Sequence, residues 1–166
     1  MTQAESEVRT LFPFSDLASR TIAPSHVSRD DNGAMIYELW MIGRIQGVAG
    51  GGLVHIPARQ RTAPHAHSIS EHFSCVVRGR ALLYVEGQMI PLGPGDCYTV
   101  PAMQIHELAA SGTEEAWVFE GTAPLLPTAE QAAADFAGTR LDDITARRAE
   151  IDAAFEAAFG AEARGR

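Results

Sequence analysis

Cysteine is nearly absent. Cys75 and Cys97 are the only thiols in 166 residues. They form no C-x-x-C pair and are too few for a disulfide scaffold. This excludes a small cystine-stapled secreted domain and leads us to expect buried free thiols in a reducing cytoplasm. Basic residues are also scarce: 13 Lys and Arg stand against 21 Asp and Glu, a formal net charge of −8. That balance excludes the clustered positive charge on which non-specific nucleic-acid binding depends, and it disfavours an anionic membrane surface as partner. No run approaches the roughly 18 consecutive apolar residues of a membrane-spanning helix. Met1–Arg20 shows no basic start followed by an apolar stretch, so no secretory signal is read there. No internal repeat or low-complexity tract is present. The expectation is a cytoplasmic chain acting on a small molecule, with neither nucleic acid nor membrane as partner.

What is present reads as one domain, since a chain of this length buries roughly 70% of its unfolded surface. From Ala34 to about Phe119 short apolar runs alternate with turn residues. Eight strands are expected: Met35–Ile42, Leu53–Ile56, Phe73–Val77, Ala81–Val85, Met89–Leu92, Tyr98–Val100, Ile105–Ala109 and Ala116–Phe119. Gly50-Gly51-Gly52, Gly79, Glu86-Gly87, Gly93-Pro94-Gly95-Asp96 and Ser111-Gly112 punctuate them. Many short strands with Gly and Pro turns and no intervening helix predict an all-β sandwich or barrel rather than a parallel βαβ sheet. Beyond Pro127 the composition turns to Ala, Glu, Asp and Arg. Thr128 caps an expected helix over Ala129–Phe136 that Gly138 ends. A second helix is expected from about Asp142 to Phe159, with Ile144, Ile151, Phe155 and Phe159 on one stripe, Gly160 as its stop and Ala161–Arg166 frayed. Its stripe predicts packing on the outside of the barrel, with a lid or a dimer arm as the alternative. The division is then an N-terminal arm over 1–32 with little regular structure, pinned by Leu11 and Phe14, a barrel domain over 33–124 and a helical extension over 125–166.

Three of the six histidines fall within His65-Ala66-His67-Ser68-Ile69-Ser70-Glu71-His72. Residues two apart on an extended chain share a face, and Pro64 favours an extended approach, so His65 and His67 point the same way. After a short turn, Glu71 or His72 can supply a further ligand, and His106 can reach the same point from another strand. Convergence of imidazoles and carboxylates from separate elements is what a metal site requires. His26 is read as a loop residue and His55 as a satisfied core histidine.

At these residues the chain resembles the cupin superfamily. The first motif of that family spaces a glycine, H-x-H, a glutamate and a glycine. Here it runs from Arg59 through His65, His67 and Glu71-His72 to Gly79. The second motif runs from Gly95 through Pro101 and Met103 to His106 and Ala110. Arg59 and Met103 replace motif glycines, and Ala110 replaces an asparagine. The resemblance implies a double-stranded β-helix, usually a homodimer, holding one divalent metal. Counting on from His67 selects Glu71 as the fourth ligand. Counting back from Gly79 selects His72, and that count runs through a regular strand without insertion, so His72 is preferred and Glu71 becomes the expected general base. The segment Ser70-Glu71-His72-Phe73 is similar to the single-domain cupins of aromatic polyketide pathways, some of which are metal-dependent cyclases with a four-histidine site.

Four imidazoles suit zinc or iron(II), with nickel or copper as further options and manganese if Glu71 joins. The chemistry expected is Lewis-acid catalysis of cyclase, isomerase or lyase type on a carbonyl compound, with an iron(II) dioxygenase or a non-catalytic binding module as alternatives. Tyr37, Trp40, Gln60, Tyr84, Met103 and Trp117 are the expected substrate contacts.

Overall fold

The computed structural model describes residues 14–45, 49–124, 126, 128–136 and 138–164. Among these, all eight expected strands form, with a ninth ahead of them: β1 His26–Arg29, β2 Met35–Ile45, β3 Ala49–Ile56, β4 Glu71–Arg78, β5 Ala81–Val85, β6 Gln88–Leu92, β7 Cys97–Val100, β8 His106–Ala110 and β9 Ala116–Ala123. A short helix, α1 Phe14–Ala18, precedes them, and α2 Ala129–Phe136 and α3 Leu141–Arg164 follow. Every pairing is antiparallel. The strands make a six-stranded sheet in the order β1-β2-β3-β9-β4-β7 and a three-stranded sheet in the order β6-β5-β8. The architecture is the expected double-stranded β-helix with helices at its C-terminal end.

Alternation along the strands sorts the side chains into three apolar clusters. Val54, Ile56, Val76, Leu83, Val100, Leu108 and Val118 come from both sheets and fill the barrel interior. Leu53, Trp40 and Trp117 face the opposite way and pack with Leu17 of α1. Leu82, Tyr84 and Ala109 also face outward and meet Ile144, Ile151 and Phe155 of α3. The long helix therefore covers the outside of the smaller sheet with the stripe that its sequence sets out. Arg61 ties the same contact together: it pairs with buried Glu107 at 2.7 Å and with Asp152 at 2.9 Å, and its guanidinium carbon lies 4.2 Å from the Phe155 ring centre.

Four expectations about local structure are corrected. The segment before Gly33 is not irregular, because α1 and β1 both form there. His26 pairs with Leu39 on β1 rather than lying in a loop. Phe14 does pin this segment, edge-on to Trp117 at 5.3 Å, while Leu11 lies outside the described residues. Gly160 does not stop α3, which continues to Arg164; one glycine costs about 1 kcal/mol within a helix, and the Ala, Glu and Arg around it are good helix formers. The thiols are not buried: Cys75 is half-buried and Cys97 exposed, since they oppose each other on the outward side of β4 and β7. The start of α2 is as expected. Thr128 Oγ1 accepts from Gln131 N at 3.1 Å while Gln131 Oε1 accepts from Thr128 N at 3.2 Å, a reciprocal cap.

Candidate metal centre

The H-x-H segment is held against the chain that leads into β8. His65 N donates to His106 O at 3.0 Å and His106 N returns to His65 O at 2.9 Å, while Met103 N donates to His67 O at 2.7 Å. This pairing sets the His65 and His106 rings with centres 4.2 Å apart. His72 is the second residue of β4, opposite Thr122 of β9 and Val100 of β7. Burial alternates along β4, with His72, Ser74 and Val76 inside and Glu71 and Phe73 outside. The result is four potential ligand nitrogens, one each from His65, His67, His72 and His106, all within 4.8 Å of one another.

The second nitrogen of three of these rings is already engaged. His65 Nδ1 donates to Ala63 O and His106 Nδ1 to Gln104 O, each at 2.9 Å. His67 Nδ1 meets Asp135 Oδ2 at 3.0 Å. A carbonyl or carboxylate only accepts, so Nδ1 carries the proton in these rings and Nε2 presents a lone pair. Burial, reinforced by the neighbouring imidazoles, lowers the pKa to about 4 in His65, about 3 in His72 and about 2 in His106, so these rings are neutral, the form that binds metal. His106 Nε2 is buried with no hydrogen-bond partner among the described residues. His67 Nε2 and His72 Nε2 lie 2.7 Å apart, a separation at which two ring nitrogens share a proton or a cation. This donor set fits a divalent metal ion.

Asp135 of α2 organises the approach. Its Oδ1 accepts from Ser68 Oγ at 3.0 Å, Ile69 N at 2.6 Å and Ser70 N at 3.3 Å, and its Oδ2 orients His67. Burial alone would raise its pKa, but these bonds outweigh it and bring the carboxyl down to about 2. The neighbouring Phe136 packs on His65 at 5.5 Å and His67 at 5.9 Å between ring centres. One helix of the extension thus supplies both the carboxylate behind His67 and an aromatic wall.

The histidines border a cavity of about 480 Å³. Ile36, Leu39, Val54, Leu83, Leu108 and Phe136 make it largely apolar, and Tyr37, Tyr98, Glu120, Thr122, Thr62 and Ser28 provide its polar points. Of the six expected substrate contacts only Tyr37 lines it. Trp40 and Trp117 point out of the barrel and stack on each other at 5.4 Å. The reason is parity: the inward residues next to them are Leu39 and Val118. Tyr84 faces α3, where its hydroxyl donates to Glu150 Oε1 at 3.1 Å and accepts from Arg147 at 2.7 Å. Gln60 ends the turn after β3, where its carbonyl accepts from Ala110 N. Met103 is 48% exposed at a turn with φ of 68°, away from the cavity lining. Glu71, expected as general base, is exposed on the outer face of β4 and does not border the cavity. His55 is buried outside the barrel between Glu38 at 2.9 Å and Glu115 at 3.0 Å, a satisfied histidine as expected.

The sequence reading missed Asp135, Phe136, Tyr98 and Glu120. The two helix residues carry no motif. The strand residues were detectable only by extending the parity of Val118 along β9 and of Val100 along β7.

Residues 52–120 match the cupin-domain family model. None of the curated protein sequences matches the chain significantly. Among solved structures, a Thermotoga maritima protein described as a predicted oxalate decarboxylase is 14% identical with a TM-score of 0.56, over 64% of this chain and 96% of that one. The Cnp3 cupin domain of Schizosaccharomyces pombe is 12% identical with a TM-score of 0.53, over 60% and 69%. KdgF from Halomonas sp. is 18% identical with a TM-score of 0.52, over 61% and 89%. At these identities the likeness is one of fold. The fold, the matched segment and the histidines at both motif positions agree, and residues 52–120 match a cupin domain.

Proposed function

We propose that the protein is a metal-dependent enzyme that holds one divalent cation, zinc or iron(II), on His65, His67, His72 and His106 and acts on a small, largely apolar carbonyl compound by cyclase-, isomerase- or lyase-type chemistry. The observation that carries this is the convergence of four ring nitrogens within 4.8 Å, from two half-buried and two buried histidines, three of them freed for ligation by an engaged Nδ1. An all-imidazole donor set suits zinc, iron(II), nickel or copper better than magnesium or calcium. When bound, the cation supplies Lewis-acid polarisation of a substrate oxygen.

The chain's own residues do the rest. The apolar walls from Ile36, Leu39, Val54 and Leu83 take the body of the substrate and exclude water. Phe136 closes the cavity over the imidazoles, and Asp135 fixes His67 in the tautomer that binds. The volume lies within the usual range for small-molecule sites, roughly 300–1,000 Å³.

Elemental analysis of the purified protein beside His72→Ala and Glu71→Ala tests the reading. Wild type and Glu71→Ala should each carry a single divalent ion per chain, and His72→Ala should carry none. Equal retention in the two variants, or a wild type without metal, would remove the four-histidine centre. Iron(II) accompanied by oxygen uptake would replace the Lewis-acid reading by a dioxygenase.

A further inference from the structure

The inner face of the large sheet carries a second polar row below the histidines. Tyr98 of β7, Ser74 of β4 and Glu120 of β9 are direct cross-strand partners, Ser74 opposite both others. All three share the parity of the cavity-facing side chains: Glu120 lies between Val118 and Thr122, and Ser74 between His72 and Val76. Along the strands this row lies a single two-residue step from the His72–Thr122 pair, about 7 Å.

The row is polar, with Ser74 buried and Tyr98 and Glu120 half-buried. Glu120 borders the cavity and has no hydrogen-bond partner among the described residues. Ser74 Oγ is buried, and the Tyr98 phenol is the side chain it faces across the strands. Polar groups removed from water without a partner are costly and rare in folded proteins, and an unpaired carboxyl bordering a cavity marks a place where a ligand supplies the missing bonds. The groups around them suit proton handling. Burial raises Glu120 to about 7, and burial together with the Glu120 carboxylate raises both Tyr98 and Tyr37, so the phenols stay protonated donors. Among the described residues no arginine or histidine neutralises this carboxyl, and the phenols of Tyr37 and Tyr98 are the titratable side chains that face it.

Building on the metal-centre reading, we infer that Glu120 is the proton-transferring residue of this site, assisted by Tyr98 and Ser74, for a substrate whose carbonyl oxygen sits at the imidazole end and whose acidic C–H reaches the Glu120 row. The carboxylate takes the proton from the carbon beside the carbonyl. The C–H pair becomes a C=C bond and the carbonyl π pair moves onto oxygen. Return of a proton from the Glu120 carboxyl to carbon reverses the step, and no oxidant or reductant is involved. Tyr98 and Ser74 donate to the second oxygen function of the ligand or to the carboxylate once it is ionised. The role expected of Glu71 thus passes to Glu120, which the fold turns inward.

Two measurements decide it. In the first, carboxyl NMR of the protein without added metal, compared with Glu120→Gln, follows the Glu120 titration. A midpoint near neutrality supports the assignment. A midpoint in the ordinary carboxylate range, about 4.3, overturns it, because such a group is solvated and too weak a base. In the second, the zinc-loaded protein is incubated in D₂O with ortho-hydroxyacetophenone, and deuterium entry into its methyl group is followed. Wild type should catalyse exchange. Glu120→Gln should lose about 100-fold or more with zinc content unchanged, and Glu120→Asp should recover part of it. Exchange in Glu120→Gln within twofold of wild type, or none in wild type, refutes the proposal. A wild type that takes up no zinc removes the metal centre, and the carboxyl titration still judges Glu120 by itself.

Discussion

Asp135→Asn is the sharpest test of how the C-terminal helices serve the centre. The substitution keeps the side-chain shape and leaves a single oxygen for Ser68, Ile69 and Ser70, which all donate to Oδ1. The other oxygen, 3.0 Å from His67 Nδ1, becomes an amino group. Two donors then face each other. His67 relieves the conflict by moving its proton to Nε2 or by turning the ring, and either removes a ligand lone pair. Loss of a carboxylate behind a ligating histidine typically weakens metal binding about 10- to 100-fold, which corresponds to about 1.4–2.7 kcal/mol. The weaker bonds from Ser68–Ser70 to a neutral acceptor should cost a further 1–3 kcal/mol or so of fold stability. Zinc competition against a chromogenic chelator reads the first effect, the ring-nitrogen NMR of His67 reads the tautomer, and thermal melting reads the third. Asp135→Asn that binds zinc within twofold of wild type, while His67→Ala does not bind it, would refute the orienting role. The acid limb offers a check of sign. The folded Asp135 lies at about 2, below its ordinary 3.8, so its contribution is present above the ordinary value and is lost as pH falls through about 2. Asp135→Asn should flatten that part of the pH–stability curve.

Arg59 and Met103 stand where the family motifs carry glycine, and both keep left-handed backbone, with φ of 61° and 68°. Such a conformation costs an ordinary residue about 1 kcal/mol, so Met103→Gly should raise the melting temperature by about 2–4 °C; a fall would show that the Met103 side chain contributes more than its backbone strain costs. Arg61→Ala leaves Glu107, only 1% exposed, as a buried carboxylate without its partner and uncovers Phe155, so denaturant unfolding should show a loss of about 3–5 kcal/mol, with Arg61→Ala/Glu107→Gln recovering part of it. No recovery in the double variant would mean the loss comes from the Phe155 contact alone. Glu120, raised from 4.5 to about 7 in the fold, holds its proton more tightly than the unfolded chain does; its stability contribution is full below about 4.5 and is lost as pH rises through about 7. Melts at about pH 5 and pH 8 should therefore find Glu120→Gln equal to wild type at the lower pH and more stable at the higher; the same difference at both would contradict a buried carboxyl.

The sequence by itself determined the strands, the turn glycines, the capped helix at Thr128 and the histidines that meet. All of these rest on local chemistry or on short spacing: alternation of apolar residues, φ preferences, a reciprocal cap, and two imidazoles two residues apart. His72 was legible from a count back along β4, and the alternation from His72 to Val76 bears out its inward face, although the register shifts between Val76 and Arg78, so the count from Gly79 does not run through a regular strand. Only the tertiary structure decided what surrounds the centre. Trp40, Trp117 and Tyr84 are large and buried, and sequence cannot tell a residue buried between the sheets from one buried under a helix, because both faces of these strands are covered. Glu71 and Glu120 illustrate the same limit: each is an acid on a strand, and the sense of alternation, set by pairing with distant strands, turns the first to solvent and the second into the cavity. Asp135 stands 68 residues from the histidine it orients, and no local pattern encodes that contact; it exists because α2 folds back over the mouth of the barrel.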